Sequence, residues 1–308
     1  MKKRFVTKDK TIIFLTFLLC MIMTACGGGS GSAASSGGGE PGDFEAEYHD
    51  AEYHEDETEG NGEVQVDLSC ANDGYFGVLA NSDARLKLQV FKGDETFTYD
   101  VEQGTGQLFP LQCGDGSYTI KVMKNISGNQ YYELYSTNVD VTLSDPHAPY
   151  VRPNAYADYD ENSDCVKEAA KMAAKATSES DFVNQVYNYI CKNVTYDYKE
   201  AETVESGYVP DPDEVMDTGK GICFDYASLA ASMLRSQGIP TKIIFGYVAP
   251  DNLYHAWNMF YTEETGWTTV EFSVDPGDWT RVDLTFSANG ANSDFIGDGS
   301  NYQDVYEY

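Results

Sequence analysis

The chain has 308 residues, with 50 acidic against 20 basic side chains and a formal net charge of −30. A surface of that sign repels nucleic acid and bare anionic lipid, so DNA or RNA binding is excluded. The length leaves room for two cores.

Met1 to Lys10 is a positively charged stretch, and Thr11 to Met23 is an apolar run too short to span a bilayer comfortably. It closes on Met23-Thr-Ala-Cys26, which resembles the bacterial lipoprotein signal with Met in place of the commoner Leu. The resemblance implies a signal peptide over residues 1–25, cleavage before Cys26 and lipidation of that thiol. The expected location is therefore outside the cytoplasm, held to the membrane by the N-terminal lipid alone. Residues 26–62 read as a tether. Gly27 to Gly42 is a Gly/Ser run, and Phe44 to Glu63 is acidic, with an echo of Ala46-Glu-Tyr-His in Ala51-Glu-Tyr-His. His49 and His54 match no rigid metal-ligand spacing, and the expectation is a solvated, disordered spacer.

Residues 63–143 read as an all-β domain. Glu63–Ser69, Tyr75–Ala80, Arg85–Phe91, Thr96–Glu102, Tyr118–Met123, Tyr131–Tyr135 and Asn138–Leu143 are short, aromatic or β-branched, and separated by turn residues. That pattern predicts an immunoglobulin-like β-sandwich, acting as spacer or substrate-docking module. Residues 144–159 form a linker that includes Asp145-Pro-His-Ala-Pro149. From residue 160 a second domain begins, with helices expected at Asn162–Thr177 and Asp181–Asn193. Gly219 and Gly221 mark a turn, and a helix is expected from Cys223 through Gln237, apolar on most of its circumference and therefore central. Gly238-Ile-Pro240 ends it. Strands follow at Thr241–Ala249, His255–Tyr261, Gly266–Val274 and Trp279–Phe286. Alternation puts His255, Trp257, Met259 and Tyr261 on one face. Trp257, Trp267 and Trp279 are read as core packing.

The chemistry of this second domain lies in a thiol, an imidazole and a carboxylate. A thiol is a useful nucleophile as thiolate, and Cys223 in a helix first turn has unpaired N–H groups and the helix dipole to favour that anion. Asp225 in the same turn partly opposes it, and reads as ordinary first-turn chemistry. His255 is the candidate base. A carboxylate must orient the imidazole and stabilise its cation. Acidic residues downstream of His255 include Glu271 and Asp283.

Gly-x-Cys at a helix start, Leu234-Arg-x-x-Gly-Ile-Pro240, Gly246-Tyr, His255-Ala-Trp257 and Trp279-x-x-x-Asp283 occur in one order. Together they resemble the transglutaminase-like superfamily, densest from Gly219 to Phe286. The resemblance implies an α+β fold with a papain-like core, a central helix on an antiparallel sheet. It also implies a Cys-His-Asp triad acting on amides. Carried over, Cys223 is the nucleophile, His255 the base and Asp283 the favoured acid, with Glu271 the alternative; Leu284 departs from the family's usual Pro. The Cys223 backbone N–H is a natural oxyanion donor, and Tyr208 is a candidate second one.

Five cysteines remain beyond Cys20 and Cys26. In an oxidising compartment, Cys70–Cys113 and Cys165–Cys191 are the natural pairs, leaving Cys223 free. No zinc spacing such as Cys-x-x-Cys is present, so no metal or cofactor is expected; calcium would rest on charge alone. The reading is a cell-surface cysteine enzyme that opens an amide or isopeptide bond of a protein, peptide or cell-envelope substrate. It would hydrolyse that bond or transfer the acyl group to an amine. The alternative is a catalytically degenerate adhesion or scaffold module that keeps the fold.

Overall fold

The computed structural model describes residues 44–250, 252–262, 266–267, 273–274, 279–288 and 301–308. The signal segment, Cys26, the Gly/Ser run and Glu271 lie outside them. Everything described belongs to one compact unit, Gly39–Tyr308.

Phe44 onward departs from the expected disordered spacer. Phe44 stacks on Phe182 with ring centroids 5.1 Å apart, and the Glu47 N–H donates to the Gln237 carbonyl. Tyr53 lies in a niche left by Gly77 and Gly106, where an added Cβ would come within 2.4 and 2.6 Å of its side chain. His54 reaches Asp67 with both its N–H and its ring. The charge count hid what decides this segment: aromatic residues spaced to reach apolar sites on the body, each offsetting part of the ordering entropy.

Eight strands follow: β1 (Thr58–Gly60), β2 (Val64–Asp67), β3 (Tyr75–Ala80), β4 (Leu86–Lys92), β5 (Glu95–Val101), β6 (Gly106–Pro110), β7 (Gly116–Ser127) and β8 (Gln130–Val141). They form two four-stranded sheets, ordered β1-β2-β3-β6 and β5-β4-β7-β8, antiparallel throughout. Alternate side chains such as Leu86, Leu88 and Val90 point inward and are fully buried, as the two-residue period of a strand requires. Two details differ from the sequence reading. Gly106–Pro110 is a strand, and its Pro is tolerated because β6 lies at a sheet edge. Tyr131–Tyr135 and the expected strand at Asn138–Leu143 merge into one long strand that ends at Val141, in which a register shift opposite Val122/Met123 absorbs the irregularity.

The rest of the chain runs α1 (Asp164–Ala173), α2 (Glu179–Asn193), β9 (Thr195–Tyr196), α3 (Tyr198–Thr203), α4 (Pro212–Thr218), β10 (Lys220–Gly221), α5 (Cys223–Arg235), β11 (Thr241–Val248), β12 (Leu253–Tyr261), β13 (Gly266–Trp267), β14 (Ser273–Val274), β15 (Trp279–Val282), α6 (Leu284–Ala288) and β16 (Tyr302–Glu307). This is the expected α+β arrangement, with α5 packed on an antiparallel sheet ordered β15-β12-β11-β16. Of the expected third strand, Gly266–Val274, the two ends pair with each other antiparallel, β13 on β14, and residues 268–272 lie outside the described residues. The neighbour of β12 is instead β15, which delivers the chain to Asp283. The expected fourth strand ends at Val282, because Asp283 caps a helix.

Nearly all of α5 is buried. Its inner face joins α1 and α2 around Leu229, Met233, Val186 and Ile190. Its start packs the other way, where Ile222, Phe224 and Ala227 share one apolar cluster with Tyr99, Phe109 and Ile120 of the sandwich. The motif residue Arg235 is fully buried and donates to the carbonyls of Thr241, Tyr308 and Arg152. Burial pulls its guanidinium down to about 10, partly offset by neighbouring tyrosines. It fastens the end of the helix to the first strand of the sheet.

Candidate active site

Cys223 opens the 13-residue helix α5. The turn before it depends on Gly221, where a Cβ would lie 2.4 Å from Cβ of Asp225. Without that clash, Asp225 folds back and its Oδ2 accepts the Ile222 N–H at 2.6 Å, while its Oδ1 accepts the Tyr208 hydroxyl at 2.6 Å. Burial pushes the Asp225 carboxyl up to about 6 against the pull of these two bonds. Asp225 is thus the first-turn anchor read from the sequence. Tyr208, by contrast, gives its only hydroxyl proton to Asp225, which corrects its candidacy as an oxyanion donor. A cavity of about 460 Å³ opens beside this pair, walled also by Asp197, Glu200, Glu214 and Lys220.

His255 lies on β12 opposite Gly246 of β11. Gly246 is obligatory there, since a Cβ would come within 2.1 Å of the Gln303 carbonyl oxygen and 2.7 Å of the Trp257 ring. The helix and the strand are set against each other by Asn258, whose Nδ2 donates to the carbonyls of Ala227 and Lys242. Phe286 stacks on the imidazole at 4.5 Å, with Trp257 behind it at 6.1 Å.

Asp283 sits between β15 and α6. Its Oδ1 accepts the Phe286 N–H at 3.0 Å, capping the helix. Its Oδ2 lies 2.9 Å from His255 Nε2 and accepts the Tyr302 hydroxyl at 3.0 Å. The His255 and Asp283 side chains are 4% and 0% exposed. Burial lowers the His255 pKa, but the charge and hydrogen bond of Asp283, with a further hydrogen bond to Cys223, raise it to about 10. With Nε2 facing Asp283, the other ring nitrogen is left for the thiol. The sequence-read residues Cys223, His255 and Asp283 therefore meet; Glu271 lies outside the described residues.

The four other described cysteines are free thiols, as is Cys223, which corrects both expected bridges. Each has other company: Cys70 Sγ faces Ser69 and His54, and Cys191 Sγ faces the Leu284 carbonyl. Cys165 is buried, its thiol pushed up chiefly by that burial and next by the charge of Asp213, and burial pushes Cys113 up to about 11. Among the described residues no group of three or more His, Cys, Asp or Glu could hold a metal ion. Tyr302 was not read from the sequence; nothing local marks it, because β16 reaches the site only by pairing with β11. The α6 cap was legible in principle, as Asp before Leu-Thr-Phe is an N-cap signal.

Residues 167–283 match the family model described as the transglutaminase-like superfamily. The chain thus carries a transglutaminase-like domain, and the match ends on Asp283. A protein-glutamine gamma-glutamyltransferase of Pseudomonas aeruginosa is 34% identical over 71 residues, 19% of this chain and 11% of that protein. The chain spans about a tenth to a fifth of the length of the curated relatives it matches. Among solved structures, a protein from Cytophaga hutchinsonii described as a candidate cysteine protease covers 74% of this chain and 72% of its own, at 16% identity and TM-score 0.41. The periplasmic domain of TgpA from Pseudomonas aeruginosa covers 75% and 72%, at 14% identity and TM-score 0.33.

Proposed function

We propose that this protein is a cysteine-dependent enzyme of amide bonds, with Cys223 as nucleophile, His255 as base and acid, and Asp283 as orienter. The observation that carries the reading is the buried His255–Asp283 contact at 2.9 Å, with the imidazole also bonded to Cys223. A histidine held cationic next to a thiol favours the thiolate–imidazolium pair. The Cys223 thiolate attacks the carbonyl carbon of the amide, and the oxyanion is met by the N–H at the start of α5. As the tetrahedral species collapses, the C–N bond breaks and the imidazolium passes its proton to the leaving amine, forming a thioester. Water or a second amine then attacks that thioester. Its proton goes to the imidazole, and the thiolate leaves to give acid or new amide.

The substrate is a protein, peptide or cell-envelope amide, and the enzyme works outside the cytoplasm on a lipid attached to Cys26. The support for the anchor is the order of charged start, short apolar run and Cys26. Two experiments test these readings. Iodoacetamide should alkylate Cys223 in the folded protein well below the pH at which a free thiol of pKa ~8.5 reacts, and His255→Ala should move that reactivity upward in pH. A Cys223 inert until denaturation would favour the scaffold alternative. Native protein should carry acyl chains on Cys26 and partition into detergent; a water-soluble form with an unblocked N-terminus elsewhere would reject lipidation.

A further inference from the structure

The oxygen of Asp283 that faces the imidazole is shared. Oδ2 lies 2.9 Å from His255 Nε2 and 3.0 Å from the Tyr302 hydroxyl, while Oδ1 is held separately by the Phe286 N–H at 3.0 Å. The carboxylate is therefore already oriented without Tyr302. What the tyrosine adds is a second donor on the same oxygen, delivered by β16, with its ring edge-on to Trp257 at 4.9 Å.

We propose that Tyr302 is a positioning residue of this site, whose hydroxyl divides the charge of Asp283 Oδ2 with His255 and so lets the imidazolium release its proton to the leaving amine. The inference rests on the acyl-transfer reading above. A cationic imidazole must first form beside the thiol and then act as a general acid, and these demands oppose each other. A buried carboxylate whose imidazole-facing oxygen had no second donor would stabilise the imidazolium too strongly for it to act as an acid. A neutral hydroxyl on the same oxygen weakens that hold without adding charge, because a hydrogen bond to the ionised form stabilises it. Among the described residues, two thiols also act on the pair. Cys223 comes from α5, and Cys191 comes from α2. Burial first, and the Asp283 charge last, push Cys191 up to about 12, against a hydrogen bond from Tyr187, so it stays neutral and cannot take over the tuning.

The test is Tyr302→Phe, which keeps the ring against Trp257 and removes only the oxygen. The His255 imidazole, one of four histidines in the chain, is titrated by NMR in the folded wild type and variant. In parallel, the pH profile of turnover is measured on a peptide amide. Loss of a hydrogen bond to the charged carboxylate should raise the His255 titration and the basic limb by about one pH unit. The rate constant for acylation should fall roughly 3- to 10-fold, as expected of a less acidic general acid, with KM unchanged. Tyr306→Phe, on the same strand and 41% exposed, should change neither. A fall in rate with an unmoved His255 titration would reduce Tyr302 to packing and overturn the proposal, as would no change in either. If Cys223 proves unreactive while the NMR titration still moves, the acyl-transfer reading fails and the charge-sharing at Asp283 stands.

Discussion

Asp283→Asn is the sharpest perturbation of the site. Oδ1 must still accept the Phe286 N–H to cap α6, which places the new amide nitrogen where Oδ2 was. That nitrogen then donates toward His255 Nε2, so Nε2 must become the acceptor and the ring proton must move to the nitrogen facing Cys223. A protonated nitrogen there cannot take the thiol proton, and the neutral amide no longer stabilises the cation. Between the ordinary 6.5 and about 10 for His255, at ~1.4 kcal/mol per pH unit, lies an upper bound of about 5 kcal/mol. With the anion gone, burial acts largely unopposed, so at pH 7 the imidazolium falls from nearly all of the population to under about a quarter. Acyl-enzyme formation should fall by up to the ~10⁴-fold seen when a serine triad loses its acid. The assay is single-turnover acylation together with Cys223 alkylation against pH, with circular dichroism to confirm folding. A variant that folds, acylates within a few-fold of wild type and keeps the wild-type alkylation profile would refute the wrong-tautomer argument.

Stability should also report the buried pair. His255 titrates higher in the folded than in the unfolded chain, so its contribution is full below about pH 6.5 and is lost as pH rises toward about 10. Urea midpoints measured from pH 6 to 9 should fall, and fall less in Asp283→Asn. Arg235→Ala should destabilise the fold by about 3 kcal/mol or more, since it removes a fully buried side chain with its three hydrogen bonds and opens a cavity; a change under ~1 kcal/mol by denaturant titration would contradict that account. Gly221→Ala should drive Asp225 out of its bond with Ile222 and lower acylation more than it lowers thermal stability. Equal loss of both would show the turn to be structural only.

What was legible in the sequence was whatever short-range chemistry decides. The helix after Gly221 and the strand bearing His255 follow from local signals, whereas the grouping of Cys223 and His255 with Asp283, and the preference for Asp283 over Glu271, came from the resemblance to the transglutaminase-like superfamily. What was not legible depends on contacts between distant segments. Tyr302 carries no mark until β16 lies beside β11, and Tyr208 is an ordinary loop tyrosine until Asp225 folds over Gly221. The acidic run after Phe44 was misread for a related reason. Charge density argues for solvation, but Phe44, Tyr48 and Tyr53 each meet a partner that composition does not reveal. The end of β15 at Val282 was missed because β-branched residues outweighed the capping signal of Asp283.

The apolar cluster that runs from the sandwich into the first turn of α5 means that the start of the thiol-bearing helix shares its interior with the sandwich. Ile222 and Phe224 belong to the same apolar cluster as the sandwich strands, and the Phe224 ring meets Tyr156, which in turn meets Tyr99 of β5 at 5.4 Å. The two halves should therefore melt as one cooperative unit, with a single calorimetric transition whose van't Hoff and calorimetric enthalpies agree. Excising the sandwich would leave an apolar patch beside the nucleophile. For this chain the β-rich segment is then part of the solvent shield of the reactive centre, and loosening either half loosens both.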